Sequence, residues 1–406
     1  MPNYRHVALV LGALLVGFTI GPSRAQSTSA AGAATADKSR RPMTLVDLLN
    51  IPRVLDPQMN SDGERIAFTL RTADWPNNRR VDQIWQIRAD GSALTRLTSI
   101  ASGVGAAKAW SPDGRTLAFL ARGTSPGFSI FLLSEGGAPR QLSRHATSII
   151  ASQPGMLAWA PDGGAIYFLA ADPPGAADVE RDKLRGDIYS YDDYRQQHLW
   201  KITVADGQEQ RLTSGDYSIV GFKVSPTGLL LVNRAPSPLV LDSYLSEVWT
   251  LHADGSASVQ LTHNRFAESD AALSPDGSQI LFVARANDRQ EPYYNANLFL
   301  MPAAGGTPHA LVPTFPYEVL RAEWAADGKS IWAVVNMGVH SELFQFDAAG
   351  VFVGTLKARA NLTLDKAGNE FTSDKYLFEF FDRDGNLLTS GVGAAHGTRI
   401  EVEPLP

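Results

Sequence analysis

Ile84-Trp85-Gln86-Ile87, Ile130-Phe131-Leu132-Leu133, Leu199-Trp200-Lys201-Ile202, Val248-Trp249-Thr250-Leu251, Leu298-Phe299-Leu300-Met301, Leu343-Phe344-Gln345-Phe346 and Leu377-Phe378-Glu379-Phe380 are seven versions of one phrase. An aliphatic residue precedes Trp or Phe, any residue follows, and an aliphatic or aromatic one closes. Shortly after each comes a tight-turn signal: Asp90-Gly91, Gly136-Gly137, Asp206-Gly207, Asp254-Gly255, Gly305-Gly306, Ala349-Gly350 or Asp384-Gly385. A unit kept in phase over a whole chain marks a stacked or radial array, because one unit cannot bury its apolar face alone.

A second marker precedes the phrase: Asn60-Ser61-Asp62-Gly63, Ser111-Pro112-Asp113-Gly114, Ala160-Pro161-Asp162-Gly163, Ser225-Pro226-Thr227-Gly228, Ser274-Pro275-Asp276-Gly277 and Ala325-Ala326-Asp327-Gly328. Pro presets φ for a turn, Asp bonds its own backbone, and Gly takes the positive-φ position. Ile66, Leu117, Ile166, Leu231, Ile280 and Ile331 follow each Gly by three residues, and Phe68, Phe119, Phe168 and Phe282 come two further on. That spacing of two belongs to a strand with one buried face. A worn seventh marker is Asp365-Lys366-Ala367-Gly368, with Phe371 after it.

Each unit reads as four strands over roughly 40 to 50 residues, the size of a propeller blade. The sequence therefore predicts an all-β chain: a single β-propeller of seven four-stranded blades over 42–406, preceded by a signal peptide and a short helix. A β-sandwich would not keep a repeat in phase this long. Thr44 to Leu49 forms the short helix, with Thr44 as cap and Asp47 three residues on, and Pro52 ends it. The segment Arg53 to Met59 is expected to complete the last blade, because a closed ring hides strand edges. Pro173 to Arg185 reads as a polar, charged insertion in the third unit.

Residues 1–25 carry Arg5, the apolar run Val7 to Ile20, and small residues at Ser23-Arg24-Ala25. This is the pattern of a secretory signal peptide, cleaved after Ala25, with a retained N-terminal anchor as the alternative. Residues 26–41 read as a flexible leader. The chain has no cysteine, which excludes disulfides and thiolate chemistry. A net charge of −6 gives no case for nucleic-acid binding. No second run reaches spanning length, so a periplasmic or secreted protein is expected, without a membrane span after cleavage.

The run Met43-Thr44-Leu45-Val46-Asp47-Leu48-Leu49-Asn50-Ile51-Pro52-Arg53-Val54, with Asp56-Pro57, Thr72-Ala73-Asp74-Trp75 and Asn78-Arg79-Arg80-Val81, resembles the opening of secreted bacterial peptidases of the prolyl oligopeptidase family, acylaminoacyl- and dipeptidyl-peptidase branch. Asp187-Ile188-Tyr189 through Tyr194-Arg195, His198-Leu199-Trp200 and Arg211-Leu212-Thr213 continue the resemblance. It covers roughly Thr44 to His263, and the Ser-Pro-Asp-Gly turns are shared with the TolB propeller. What the resemblance implies is a propeller that screens access to a C-terminal α/β-hydrolase domain holding the catalytic Ser, Asp and His. The present sequence has no match to that second part.

One Gly-x-Ser-x-Gly pattern occurs, Gly123-Thr124-Ser125-Pro126-Gly127. A nucleophile elbow needs a buried strand before it and a helix after it. Here strand signals flank both sides, so Ser125 reads as a hairpin-turn residue. His145, His198, His252, His263, His309, His340 and His396 are scattered without metal-ligand spacing. Asp382-Arg383-Asp384-Gly385-Asn386 has its Gly one place early for a calcium loop and no closing Glu. No cofactor or metal is expected, and no catalytic residue is assigned.

Asp192 and Asp193, between Tyr191 and Tyr194, are the candidate substrate-binding residues. The resemblance implies that propeller acids hold a peptide's α-amino group through charge-assisted bonds. Against this stands a merely solvated loop. Three functional readings follow: a non-catalytic propeller binding peptide or a protein partner, including a separate hydrolase domain; a truncated peptidase record lacking its hydrolase; and a TolB-like envelope scaffold. One flat face of the ring is expected to carry more exposed apolar area than the other.

Overall fold

In the computed structural model the described residues are 44–98, 103–125, 127–151, 155–185, 193–264, 266–338, 341–364, 371–382, 384–394 and 397–404. The proposed signal peptide and leader, the worn turn at Asp365 to Gly368, and Asp192 lie outside them. The chain folds as a β-propeller of six blades rather than seven: five four-stranded sheets and one of seven strands, each antiparallel in sequence order. The first blade comprises Arg53–Met59, Arg65–Asp74, Arg79–Arg88 and Thr95–Arg96. Its successors span 104–141, 157–211, 218–260, 268–310 and, with its additions, 318–404.

The two sequence markers turn out to be the two halves of one contact. The Phe after each turn lies on a blade's second strand, directly opposite the phrase aromatic on the third: Phe68 faces Trp85, Phe119 faces Phe131, Phe168 faces Trp200 and Phe282 faces Phe299. Phe119 and Phe131 stack with centroids 5.8 Å apart, and Phe282 and Phe299 at 5.6 Å. Phe119, Phe168 and Phe282 are almost wholly buried. Such cross-strand aromatic pairs are worth about 0.5–1.5 kcal/mol beyond their area burial.

The spacing of the two markers explains the missing blade. The seventh phrase follows its worn marker by only nine residues (Gly368 to Leu377), whereas the separation elsewhere is at least fifteen (Gly328 to Leu343). No hairpin fits in that interval, and Phe371 and Leu377 share one strand, Phe371–Asp382. Upstream, Phe352–Leu364 runs as one 13-residue strand with no crossover to a new inner strand. The seventh repeat is consequently a meander added to the outer edge of the sixth blade: Phe352–Leu364, Phe371–Asp382, Leu387–Ala394 and Gly397–Pro404 pair in order. The expected closure by Arg53–Met59 is also corrected. That strand pairs with Arg65–Asp74 across the Asn60–Gly63 turn and is the inner strand of the first blade. A turn this tight leaves it no reach to another sheet. Among the described residues no strand is shared between blades.

Neighbouring inner strands are tied by polar bonds that repeat. The Trp just before the turn marker donates its indole N–H to a carbonyl on the preceding inner strand. Trp110 reaches Gln58 at 3.0 Å, Trp159 reaches Ala109 at 3.0 Å, and Trp324 reaches Ala272 at 3.4 Å. Between the first two blades, Lys108 Nζ also meets the carbonyl and carboxylate of Asp56 at 2.7 and 2.8 Å, both side chains being buried. Burial lowers the Lys108 pKa, and the Asp56 carboxylate opposes that shift. Asp56 sits at φ 45° in an inner-strand bulge. The turns close as read: Ser274 Oγ and the Ser278 N–H both bond Asp276, whose carboxyl is pushed down to about 2.

Outer strands are short, two residues in the first, second, fourth and fifth blades, which leaves little edge for intermolecular pairing. Replacing Trp159 by Phe keeps the ring but orphans the Ala109 carbonyl. We expect a loss of about 1 kcal/mol, read as a lower urea midpoint. An unchanged midpoint would show that the indole bond contributes nothing.

Candidate binding face

In an antiparallel blade, alternate connections emerge at opposite ends. The Ser-Pro-Asp-Gly turns and the outer Asp-Gly hairpins lie on one face, here the turn face. Loops between second and third strands, and the crossovers from blade to blade, lie on the other, the crossover face.

The crossover face is the richer one. Helix α1 (Leu45–Asn50) sits there, closed by the reciprocal Thr44–Asp47 capping box. So do α2 (Ala176–Arg185), in the third-blade insertion, and α3 (Val240–Ser243), in the fourth-blade loop. Leu45 is 71% exposed, Leu184 85%, Val240 73%, Leu241 68% and Tyr294 75%; Val46, Leu48, Trp75, Val179, Tyr194, Tyr244, Leu245, Tyr293 and Tyr317 are exposed beside them. On the turn face the large apolar side chains exposed among the described residues are fewer and half-covered, Val259 at 52% being the most open. The unequal faces expected from the sequence are present. Exposed apolar and tyrosine-rich area of this kind marks interaction surfaces.

Of the two candidate acids, Asp193 is described. It stands on the α2 side, ion-paired with Arg185 and 3.7 Å from Arg181 Nε. An incoming ammonium would therefore compete with two guanidinium groups for this carboxylate. Ser125 lies in the hairpin between Thr116–Arg122 and Phe128–Ser134, with Gln141 Nε2 3.5 Å from its Oγ. No helix follows it, so the elbow reading has no support in the geometry. Asp382 accepts the backbone N–H groups of Asp384 and Asn386, a turn rather than a cation loop. Among the described residues no three His, Asp or Glu side chains converge as a metal site would require.

A polar cluster missed by sequence reasoning lies at the third-blade crossover. His198 Nδ1 is 3.2 Å from Thr213 Oγ1, and His198 Nε2 is 3.6 Å from Asp172 Oδ2. Arg211 holds Asp172 at 2.9 Å. The order acid, imidazole, hydroxyl resembles a nucleophilic triad, but the hydroxyl is spoken for. Thr213 Oγ1 accepts the Leu199 N–H at 2.9 Å and is buried, so the backbone holds it away from the role of a nucleophile. The same bond recurs at Thr98 to Ile84, Ser143 to Ile130 and Thr262 to Val248. Its sequence signal was legible: Arg96-Leu97-Thr98, Gln141-Leu142-Ser143, Arg211-Leu212-Thr213 and Gln260-Leu261-Thr262. In these four blades the hydroxyl clamps the crossover to the third strand at the residue that opens the phrase.

No family model matches the chain. Among curated proteins it is similar to YuxL, an uncharacterised peptidase of Bacillus subtilis, at 34% identity over 97 residues, 24% of this chain and 14% of that protein. Among solved structures it resembles the Pyrococcus horikoshii acylaminoacyl peptidase, at 13% identity and TM-score 0.53, over 88% of this chain and 53% of the other. It also resembles the β-propeller domain of the trilobed protease of Pyrococcus furiosus, described as having an open velcro topology, at 12% identity and TM-score 0.50, over 87% of this chain and 95% of that domain. The chain thus spans about half the length of the acylaminoacyl peptidase and much less of the curated relative. At these identities the structural likeness shows the fold, a propeller like those of peptidases.

Burial, and then the nearby Arg211 charge, lower the His198 pKa, with Asp172 opposing. Between the depressed native pKa and the unfolded value near about 6.5, the unfolded chain binds the extra proton. The part of stability owed to His198 should therefore be lost as pH drops below about 6.5, so the unsubstituted protein should lose stability relative to His198→Asn in chemical denaturation. An equal slope in both proteins would contradict the assignment.

Proposed function

We propose that this chain is the substrate-side propeller of a prolyl oligopeptidase-family serine peptidase. It acts by binding, presenting its crossover face to a peptide or to a hydrolase partner. The observation that carries the reading is the concentration of exposed aliphatic and tyrosine side chains on that one face. The similarity of a short stretch to a curated peptidase, and of the fold to a protease propeller domain, points the same way.

In this reading Asp192 and Asp193 draw a peptide's ammonium terminus toward the third-blade insertion, against the competing guanidiniums of Arg181 and Arg185. The apolar run Val7 to Ile20 and the lack of cysteine support a periplasmic or secreted site of action. Chemistry belongs to the hydrolase, on the same polypeptide or another. Sequencing the DNA beyond codon 406 for an in-frame Gly-x-Ser-x-Gly-Gly hydrolase distinguishes the two.

Two measurements test the proposal. A fluorophosphonate probe should leave the purified chain unlabelled; labelling lost in Ser125→Ala would contradict the binding-only role. Fluorescence anisotropy with a short apolar peptide bearing a free N-terminus should show binding that weakens several-fold from low to physiological salt and in the Asp192→Asn/Asp193→Asn variant. Leu184→Glu with Leu241→Glu should weaken it further. Binding indifferent to salt and to all four substitutions would refute the assigned face.

A further inference from the structure

Three departures from the repeat meet in one place. Five of the six marker turns carry Asp at their third position, and the fourth blade carries Thr227 instead. Among the seven phrases, Lys201 is the one cation at the position open to any residue. Directly opposite Lys201 stands Tyr167, where the other blades place Ala67, Ala118, Leu231 or Leu281 against Gln86, Leu132, Thr250 or Leu300. On the turn face, between the third and fourth blades, lies a groove of about 420 Å³, and Tyr167, Lys201 and Thr227 all line it. That size falls within the range of small-molecule sites, about 300–1,000 Å³.

The polar groups of the groove are underused by the fold. Tyr167 is 1% exposed, and its hydroxyl has the Ala253 carbonyl at 3.5 Å, the long limit of a hydrogen bond. Lys201 is half-buried, and its ammonium has no partner among the described residues. Thr203, two residues on and so on the same side of the sheet, leaves its hydroxyl unpaired as well. Thr227 Oγ1 keeps the internal bond of its turn, 2.9 Å from Ser225 Oγ, as Asp276 does with Ser274 at 2.6 Å. It does so without a charge, so the groove lacks one carboxylate that the repeat would supply.

One acid remains in the lining. Asp162 accepts the Gly164 N–H at 2.9 Å and is otherwise open to solvent. Asp254, on the outer hairpin of the fourth blade, stands nearby: burial first, then the Asp162 and Asp254 charges, raise the Tyr167 pKa. Pro161, Pro226 and Ala253 make the walls apolar. A plain anion would gain Lys201 but meet these carboxylates, and a plain cation would meet the ammonium. A molecule carrying both charges satisfies both sides.

We propose that this groove binds a small zwitterion of amino-acid or dipeptide size, with Lys201 and the Tyr167 and Thr203 hydroxyls on its carboxylate and Asp162 on its ammonium. The site lies on the face opposite the peptide-binding surface proposed above and does not rest on that reading.

The test is isothermal titration of the purified chain with alanylalanine, its C-terminal amide and its N-acetyl derivative. The free dipeptide should bind, and blocking either end should weaken binding about tenfold, the scale of one charge-assisted bond. Lys201→Met, which keeps the stem and removes the charge, should weaken the free dipeptide by a similar factor. Thr227→Asp restores the residue used by the other turns, so the fold is kept, and it should weaken binding several-fold. The Asp192→Asn/Asp193→Asn variant on the crossover side should bind as before. No binding of the free dipeptide at tens of millimolar, or equal binding of the blocked forms, would overturn the site. So would an affinity unchanged by both Lys201→Met and Thr227→Asp. A loss confined to the Asp192→Asn/Asp193→Asn variant would place the dipeptide on the crossover face, refuting the groove while leaving the earlier reading intact.

Discussion

Across each of four blades the Phe that follows the turn marker stands opposite the Trp or Phe of the repeated phrase, and the remaining structure depends on that pairing. It sets strand register, because sliding one strand by a single residue would turn both rings to the wrong face. With register set, the Trp before the next marker arrives level with a free carbonyl on the preceding inner strand. The crossover hydroxyl likewise arrives level with the N–H of the aliphatic residue that opens the phrase on the third strand. Where the fourth blade substitutes Val232 opposite Trp249, the Arg234 guanidinium lies over Trp249 instead. The pairing thus holds in four of the six blades, and the sixth sets Ala333 opposite Phe344.

The sequence was most informative where chemistry is local. Turn markers, strand alternation, α1 with its cap and the hairpin placement of Ser125 all follow from a few adjacent residues. Blade count and closure did not, because both depend on spacing rather than on residue type. Leu377-Phe378-Glu379-Phe380 has the right residues, but nine positions after Gly368 it cannot face its own Phe371. Arg53–Met59 has strand character, but the Asn60–Gly63 turn commits it to the strand that follows. Measuring the intervals between markers, rather than counting markers, would have given six blades.

The candidate site was legible in outline only. Unequal faces follow from the repeat, since every marker turn falls on one side and every variable loop on the other. Which carboxylates matter does not follow, because burial and partners decide it. Asp193 is exposed by sequence pattern yet engaged by Arg185 and Arg181. Glu247 and Glu268, unremarkable in the sequence, are both buried beside Asn264 of the fourth-blade crossover. His198 and Asp172 meet the same way, 26 residues apart in sequence. The crossover side therefore holds both the exposed apolar area and the buried His198 and Glu268, whereas the Asp residues of the marker turns are exposed and stabilised by their own backbone.

The central claim is that the crossover face is the one that meets a partner. It is tested most directly by a hydrogen-exchange footprint of the chain with the isolated hydrolase domain of a full-length relative added in trans. The account predicts added protection in 176–185, 240–246 and 292–296, with the Ser-Pro-Asp-Gly turns unchanged. Protection confined to those turns would contradict it.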